Sequence, residues 1–134
     1  MFSKNDNHKD DFIKITALLI HAAKIDENYS NQEQEIISQA LLKMGADNKE
    51  IQNIIKQAEN IENNANQILD FTREVKNIDE LKKIEIIEAL WRIIYSNKEA
   101  DIYETNLMRR LAGLLYIDHK IMGDIKERIK KEIL

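Results

Sequence analysis

Apolar side chains recur every three or four residues along almost the whole chain, which is the period of an amphipathic α-helix. This pattern predicts about seven short helices, which begin near Asp6, Ser30, Asp47, Glu62, Asp79, Asp101 and Asp118. Most of these starts carry Ser or Asp, whose side-chain oxygens accept hydrogen bonds from the free N–H groups of a first helical turn. We therefore expect an all-α fold, a compact single-domain bundle of about seven short helices.

The helical pattern repeats within the chain at an offset of 71 residues. Under this offset Asp47 falls on Asp118 and Leu19 falls on Leu90. The first three predicted helices then correspond to the last three, and the fourth predicted helix connects the two halves. Amphipathic helices can be brought into register by chance, but here the capping residues and the loop lengths coincide as well. The sequence therefore predicts an internal duplication.

Composition agrees with a single helical domain. The chain has 134 residues, of which 43% are hydrophobic and 33% are charged, with three Gly and no Pro. We divide it into a polar N-terminal segment that leads into the first helix, residues 1–10, and a helical domain, residues 11–134. Because the chain has no Cys, disulfides, zinc–thiolate sites and cysteine nucleophiles are excluded.

The charge distribution argues against a nucleic-acid partner. The net charge is -4, and the basic pairs are scattered among acidic residues, whereas phosphate-binding surfaces concentrate cations. The N-terminus is polar and lacks the apolar region of a signal peptide. No apolar stretch approaches the roughly 20 residues that span a bilayer. We expect a cytoplasmic protein without a transmembrane segment.

Two turns between predicted helices carry oxygen-bearing side chains at matching positions. The offset of 71 residues pairs Asp26, Asn28, Ser30 and Glu33 with Asn97, Glu99, Asp101 and Glu104. Such oxygens are ligands of hard divalent cations, but Ca²⁺ takes about six to eight of them, more than one turn offers. If the two turns meet on one side of the molecule, these eight side chains form a site for Ca²⁺, Mg²⁺ or Mn²⁺.

Helix capping is the alternative role of these turns. Ser30 and Glu33 have the spacing of a capping box, and so do Asp101 and Glu104. The positive end of the helix dipole stabilises such carboxylates and repels a cation. On this interpretation the acidic residues only stabilise helix starts.

The second half of the chain resembles the TerB-like (tellurite-resistance) family. The residues that carry the resemblance are Leu90, Trp91, Tyr95, Glu99, Asp101, Tyr103, Glu104, Met108, Arg109, Arg110, Leu111, Ala112, Leu114 and Leu115. The chain departs from the family at Asn97 and Lys98, where Asp-Gly is usual, and at Ser30, where an Asp is common. The resemblance extends over about residues 13–129.

This resemblance implies a non-enzymatic module of a tellurite-resistance or stress-response system. Similar domains also occur in membrane-anchored co-chaperones, which implies a protein partner and an association with membrane-linked complexes. A second function stays open, a protein-interaction scaffold that binds no metal. It would use the eight side chains of the two turns, here called the acidic ridge, together with Tyr29 and Tyr103.

No other group of residues indicates catalysis. His21 follows Leu18 on an apolar helix, which predicts a histidine at the core or its boundary. Glu85 and Glu88 share one face of the fifth predicted helix, where Lys82 and Arg92 are their neighbours. That arrangement predicts salt-bridged carboxylates exposed to solvent. We therefore expect no catalytic residues.

Overall fold

The computed structural model describes residues 2–24, 31–64, 75, 78–95 and 102–133, with side chains for residues 11–24, 31–64, 75, 78–95 and 106–132. Within these ranges every extended element is helical and no strand occurs. The α-helices are α1 (Phe2–Lys24), α2 (Asn31–Lys43), α3 (Ile51–Asn64), α4 (Glu80–Tyr95), α5 (Ile102–Leu114) and α6 (His119–Ile133). A 3₁₀ turn, Asn48–Glu50, precedes α3. The expectation of an all-α fold is confirmed.

Two helix bounds differ from those predicted. Helix α1 begins at Phe2 instead of near Asp6, because a helix that has formed extends at little cost through a polar segment with no apolar stripe. Helix α3 continues through Glu62 to Asn64, because Ile61 extends its apolar stripe by one turn and packs against the core. The rest of the predicted fourth helix falls on residues 65–76, which except for Val75 lie outside the described residues.

The element bounds repeat at the offset of 71 residues. Helix α2 spans Asn31–Lys43, and α5 spans the equivalent range Ile102–Leu114. Helix α1 ends at Lys24 and α4 ends at the equivalent Tyr95. The segments between these helices, residues 25–30 and 96–101, therefore have the same length and connect equivalent helices.

The turns that end α2 and α5 repeat in atomic detail. After α2, the N–H of Gly45 donates to the carbonyl of Leu42 and the N–H of Ala46 donates to that of Leu41. After α5, Tyr116 donates to Gly113 and Ile117 donates to Ala112. Both are Schellman turns, and both place a residue with positive φ after the helix, Gly45 at 103° and Tyr116 at 58°.

Each of these turns leads to an aspartate that caps the next helical segment. The Asp47 carboxylate accepts from the N–H of Lys49, and the Asp118 carboxylate accepts from the N–H of Lys120. A third aspartate, Asp79, accepts from the N–H of Lys82 at the start of α4. The predicted capping roles of these three aspartates are confirmed.

The two halves share one hydrophobic core. Helix α1 packs against α2, α3 and α4, and α4 also packs against α2 and α6. The largest fully buried side chains come mainly from α1, α2 and α4, and they are Ile15, Leu18, Leu19, Ile20, Ile37, Leu41, Ile54, Ile86, Ile87, Leu90 and Ile94. Trp91 is buried with them, as its place in the apolar stripe predicts. In the part of the chain that is described, no helix combines the length and the apolar character needed to cross a bilayer.

Side-chain contacts show how α4 packs against α6 and α2. Glu88 and Arg92 on α4 contact Arg128 and Glu132 on α6, so the two helices are parallel. Lys43, the last residue of α2, contacts Glu88 on α4, and residues of both helices line one groove.

Candidate functional site

The residues predicted to bind a cation lie mainly outside the described structure. Asp26, Asn28, Ser30, Asn97, Glu99 and Asp101 fall in the two segments 25–30 and 96–101, and for Glu104 only the backbone is described, in the first turn of α5. Glu33 is the one predicted ligand whose side chain is described. The shared cation site therefore stays a prediction.

Glu33 lies in the first turn of α2, and only 2% of its surface is exposed. A carboxylate at this position is favoured by the positive end of the helix dipole. Glu33 has an interaction partner, which fits the high cost of burying a charged group without one. Glu33 thus places a buried carboxylate at the start of α2, close in sequence to the segment 25–30.

A cluster of polar side chains holds the end of α1, just before the segment 25–30, against the end of α3. Glu62 Oε1 accepts from Lys24 Nζ at 2.7 Å, and Glu62 Oε2 lies 3.2 Å from His21 Nδ1. Lys24 also donates to the Asn63 side chain at 2.9 Å. The Glu62 side chain is only 10% exposed, whereas His21 is 29% exposed, which agrees with its predicted place at the core boundary. Glu62 already has two partners and is therefore not a free ligand for a metal.

The second half has an ion pair at the equivalent place. Arg92, which corresponds to His21 under the offset, contacts Glu132 across α4 and α6 at 2.7 Å. A polar pair therefore joins α1 to α3 in the first half and α4 to α6 in the second half. Each pair lies near the end of α1 or α4. These pairs fix the helix ends from which the two turns extend.

Glu88 is not exposed to solvent as the sequence predicted. Its side chain is 9% exposed and accepts from Lys43 Nζ at 3.2 Å and from Arg128 Nη1 at 3.3 Å. The prediction was wrong because it considered only charges on the same helix, whereas both partners are more than 35 residues away in sequence. A usable signal was present, because the offset pairs Glu88 with the buried Ala17.

The charge state of Glu88 follows from these contacts. Burial acts to raise the pKa of its carboxyl group, but the hydrogen bonds from Arg128 and Lys43 outweigh burial and lower the pKa below its ordinary value. Glu88 is therefore held as a carboxylate that joins α2, α4 and α6.

Glu85 lies one turn before Glu88 and is also not the exposed, salt-bridged residue that was predicted. Its Oε2 atom is buried and has no hydrogen-bond partner among the described residues. Burial, as the largest influence, raises the pKa of this carboxyl group, and the charges of Glu88 and Asp79 act in the same direction against those of Lys43 and Lys82. The carboxylate of Glu85 is thus poorly solvated by the protein.

Glu85 lines a groove of about 320 Å³ between α2 and α4. Its apolar lining comes from Ile36, Ala40 and Ala89, and its charged lining includes Lys43 and Arg92. Sequence reasoning missed this groove because it forms only when α2 and α4 pack together. Within the described ranges no three His, Cys, Asp or Glu side chains are grouped so that they could hold a metal ion, and this includes the groove.

Comparison with known proteins gives one family. The family model described as tellurite resistance protein TerB matches residues 12–127, which is most of the chain. No curated protein and no solved structure matches.

Proposed function

The chain belongs to the TerB family, and from this premise we propose that it is a non-enzymatic, cytoplasmic module that binds one divalent cation between its two acidic turns. Family membership associates the module with tellurite resistance. The cation is Ca²⁺, Mg²⁺ or Mn²⁺, and its ligands come from Asp26, Asn28, Ser30, Glu33, Asn97, Glu99, Asp101 and Glu104.

The observation that carries the proposal is the repetition of the helix bounds. The turns begin after Lys24 and Tyr95 and end before Asn31 and Ile102, at equivalent positions in the two halves. Each turn supplies four oxygen-bearing side chains, which with one oxygen each are too few for a hard cation, whereas two turns together supply eight. A duplicated fold is thus suited to one shared site.

The packing of α2 against α4 joins the two helices that adjoin the turns. From the contact between Lys43 and Glu88, α2 extends back to Asn31 over about 18 Å, and α4 extends forward to Tyr95 over about 10 Å. Both turns therefore adjoin helices that pack against each other, within about 18 Å of one shared contact along each helix. The first turn ends at the start of α2, and the second turn begins at the end of α4.

Calorimetric titration with Ca²⁺, Mg²⁺, Mn²⁺ and Zn²⁺ tests the proposal. We expect saturable heat with at least one of the first three ions, and its loss in the double variant Asp101→Ala, Glu104→Ala. The double variant Asp47→Ala, Glu50→Ala is the matched control, because it removes two carboxylates with the same spacing at another helix start. The control should bind as the native chain does.

The same titration distinguishes the proposal from helix capping and from an ion-free interaction surface. If no ion gives heat or a shift in melting temperature, the cation site does not exist. Equal loss of binding in both double variants would also contradict it, because the effect would then come from lost caps. A partner that binds the ridge equally with and without chelator would favour the scaffold function.

A further inference from the structure

The groove between α2 and α4 contains more negative charge than its own cations neutralise. Lys43 pairs with Glu88, and Arg92 pairs with Glu132. Glu35 and Glu85 also line the groove, and neither forms an ion pair with another described residue. Among the described residues, the donor to Glu35 is the neutral side chain of Gln39, at 3.0 Å. Two carboxylates are therefore available to a cationic ligand.

Glu85 is the carboxylate that such a ligand would stabilise most. Its buried Oε2 has no donor among the described residues, so the protein itself offsets little of the cost of placing charge there. The pKa of Glu85 is raised by the same burial, which outweighs the opposing charges of Lys43 and Lys82. Oε2 itself is closed to a ligand, but a cationic donor that reaches the carboxylate from the groove would offset the cost of its charge.

The remaining lining indicates a ligand with an apolar part. Ile36, Ala40 and Ala89 form an apolar surface beside Glu85. Along α2 the lining extends from Glu35 to Lys43, which is about 12 Å of helix and longer than one lysine side chain. The groove therefore has room for a basic side chain and for apolar neighbours from the same chain segment.

We propose that this groove binds a basic amphipathic segment of a protein partner, whose lysine or arginine side chain donates to Glu85 while its apolar side chains pack on Ile36, Ala40 and Ala89. This surface is additional to the cation site of the turns and requires no metal. The net charge of -4 favours the approach of a basic segment. Basic side chains with long aliphatic stems suit a groove that is partly apolar and partly acidic.

The test uses two synthetic helical peptides that differ only in charge. One carries lysines beside a leucine stripe, and in the other norleucine replaces each lysine, so that length and shape are kept. We expect the lysine peptide to bind the full chain about tenfold more tightly, since an interaction with a charged donor contributes on that order. All titrations contain a chelator, which separates the result from that of the cation site.

Variants of α4 assign the preference to Glu85. Glu85→Gln keeps the shape of the side chain and should reduce the preference for the lysine peptide to about twofold or less. Glu80→Gln, on the exposed first turn of the same helix, is the matched control and should keep the tenfold preference. Circular dichroism verifies that both variants are folded.

Amide chemical shifts locate the bound peptide. We expect the largest changes at Ala40 and Ala89, on the two sides of the groove. The proposal is overturned if the norleucine peptide binds as tightly as the lysine peptide. It is also overturned if Glu85→Gln keeps the preference, or if the changes cluster away from α2 and α4.

Discussion

At the scale of single residues, Glu85 and Glu88 lie one turn apart on α4, but the protein surrounds their carboxylates differently. Glu88 accepts from two cations that come from α2 and α6. Glu85 Oε2 is buried without a donor among the described residues. As a result the pKa of Glu88 is lowered and that of Glu85 is raised, although the two residues have the same chemistry.

Neutralising these two carboxylates should change stability in opposite directions. We expect Glu88→Gln to lower the free energy of unfolding at neutral pH by about 1–2 kcal/mol, a value reduced because Lys43 and Arg128 are half-exposed and regain water. Glu85→Gln should raise it by up to about 1 kcal/mol, because a poorly solvated charge is removed. Urea unfolding of the native chain and both variants measures the differences.

The pH dependence of these differences gives the control. The lowered folded-state pKa of Glu88 means that its contribution is present above the unfolded pKa and is lost as the pH falls through the folded value. The pKa of Glu85 is higher in the folded protein than in the unfolded chain, so ionising Glu85 costs stability. Its contribution is most favourable below the pKa of the unfolded state and is lost as the pH rises through the pKa of the folded state. Both differences should thus vanish in acid. A destabilising effect of Glu88→Gln that persists unchanged in acid would contradict this account.

At the scale of elements, the turns that end α2 and α5 have the same hydrogen bonds but different residues at the left-handed position. Gly45 takes φ of 103° without strain, whereas Tyr116 takes φ of 58°, which costs an L-residue roughly 1–2 kcal/mol. The Schellman hydrogen bonds and the contact of Lys83 Nζ with the Tyr116 ring, 5.9 Å from its centroid, offset part of this cost.

Alanine substitution of two glycines tests this assignment of the turns. Gly45→Ala should destabilise the protein by about 1–2 kcal/mol, because the cost is in the backbone and no atom lies close to the new Cβ. Gly113→Ala, inside α5, should stabilise it by about 0.4–1 kcal/mol, because its surroundings are equally open and its φ is not positive. Thermal unfolding of both variants gives the signs, and equal signs would contradict the assignment.

Sequence reasoning succeeded for elements wherever the determining interactions are local. Asp47, Asp79 and Asp118 cap helical segments because the acceptor and the donor lie within three residues of each other. The apolar stripes of α1 and α3 identified core residues for the same reason. The burial of Glu88 and the partners of His21 could not be predicted from neighbouring residues, because they depend on side chains about 40 residues away in sequence.

At the scale of the whole molecule, the duplication relates two halves that share one core. The offset of 71 residues was evident from the sequence because caps and loop lengths coincide, and the helix bounds follow it. The halves differ where Glu88 replaces the buried Ala17, and the groove beside it is lined by α2 of one half and α4 of the other. The two acidic turns stay a prediction, since they lie outside the described residues.

The number of Mn²⁺ ions bound per chain, measured by equilibrium dialysis, tests the shared site most directly. We expect one ion per chain for the native protein, and none for either Asp26→Ala or Asp101→Ala, because each turn alone has too few ligands. Two ions per chain, of which each variant loses one, would indicate independent sites. That result, or the absence of any bound ion, would contradict the account.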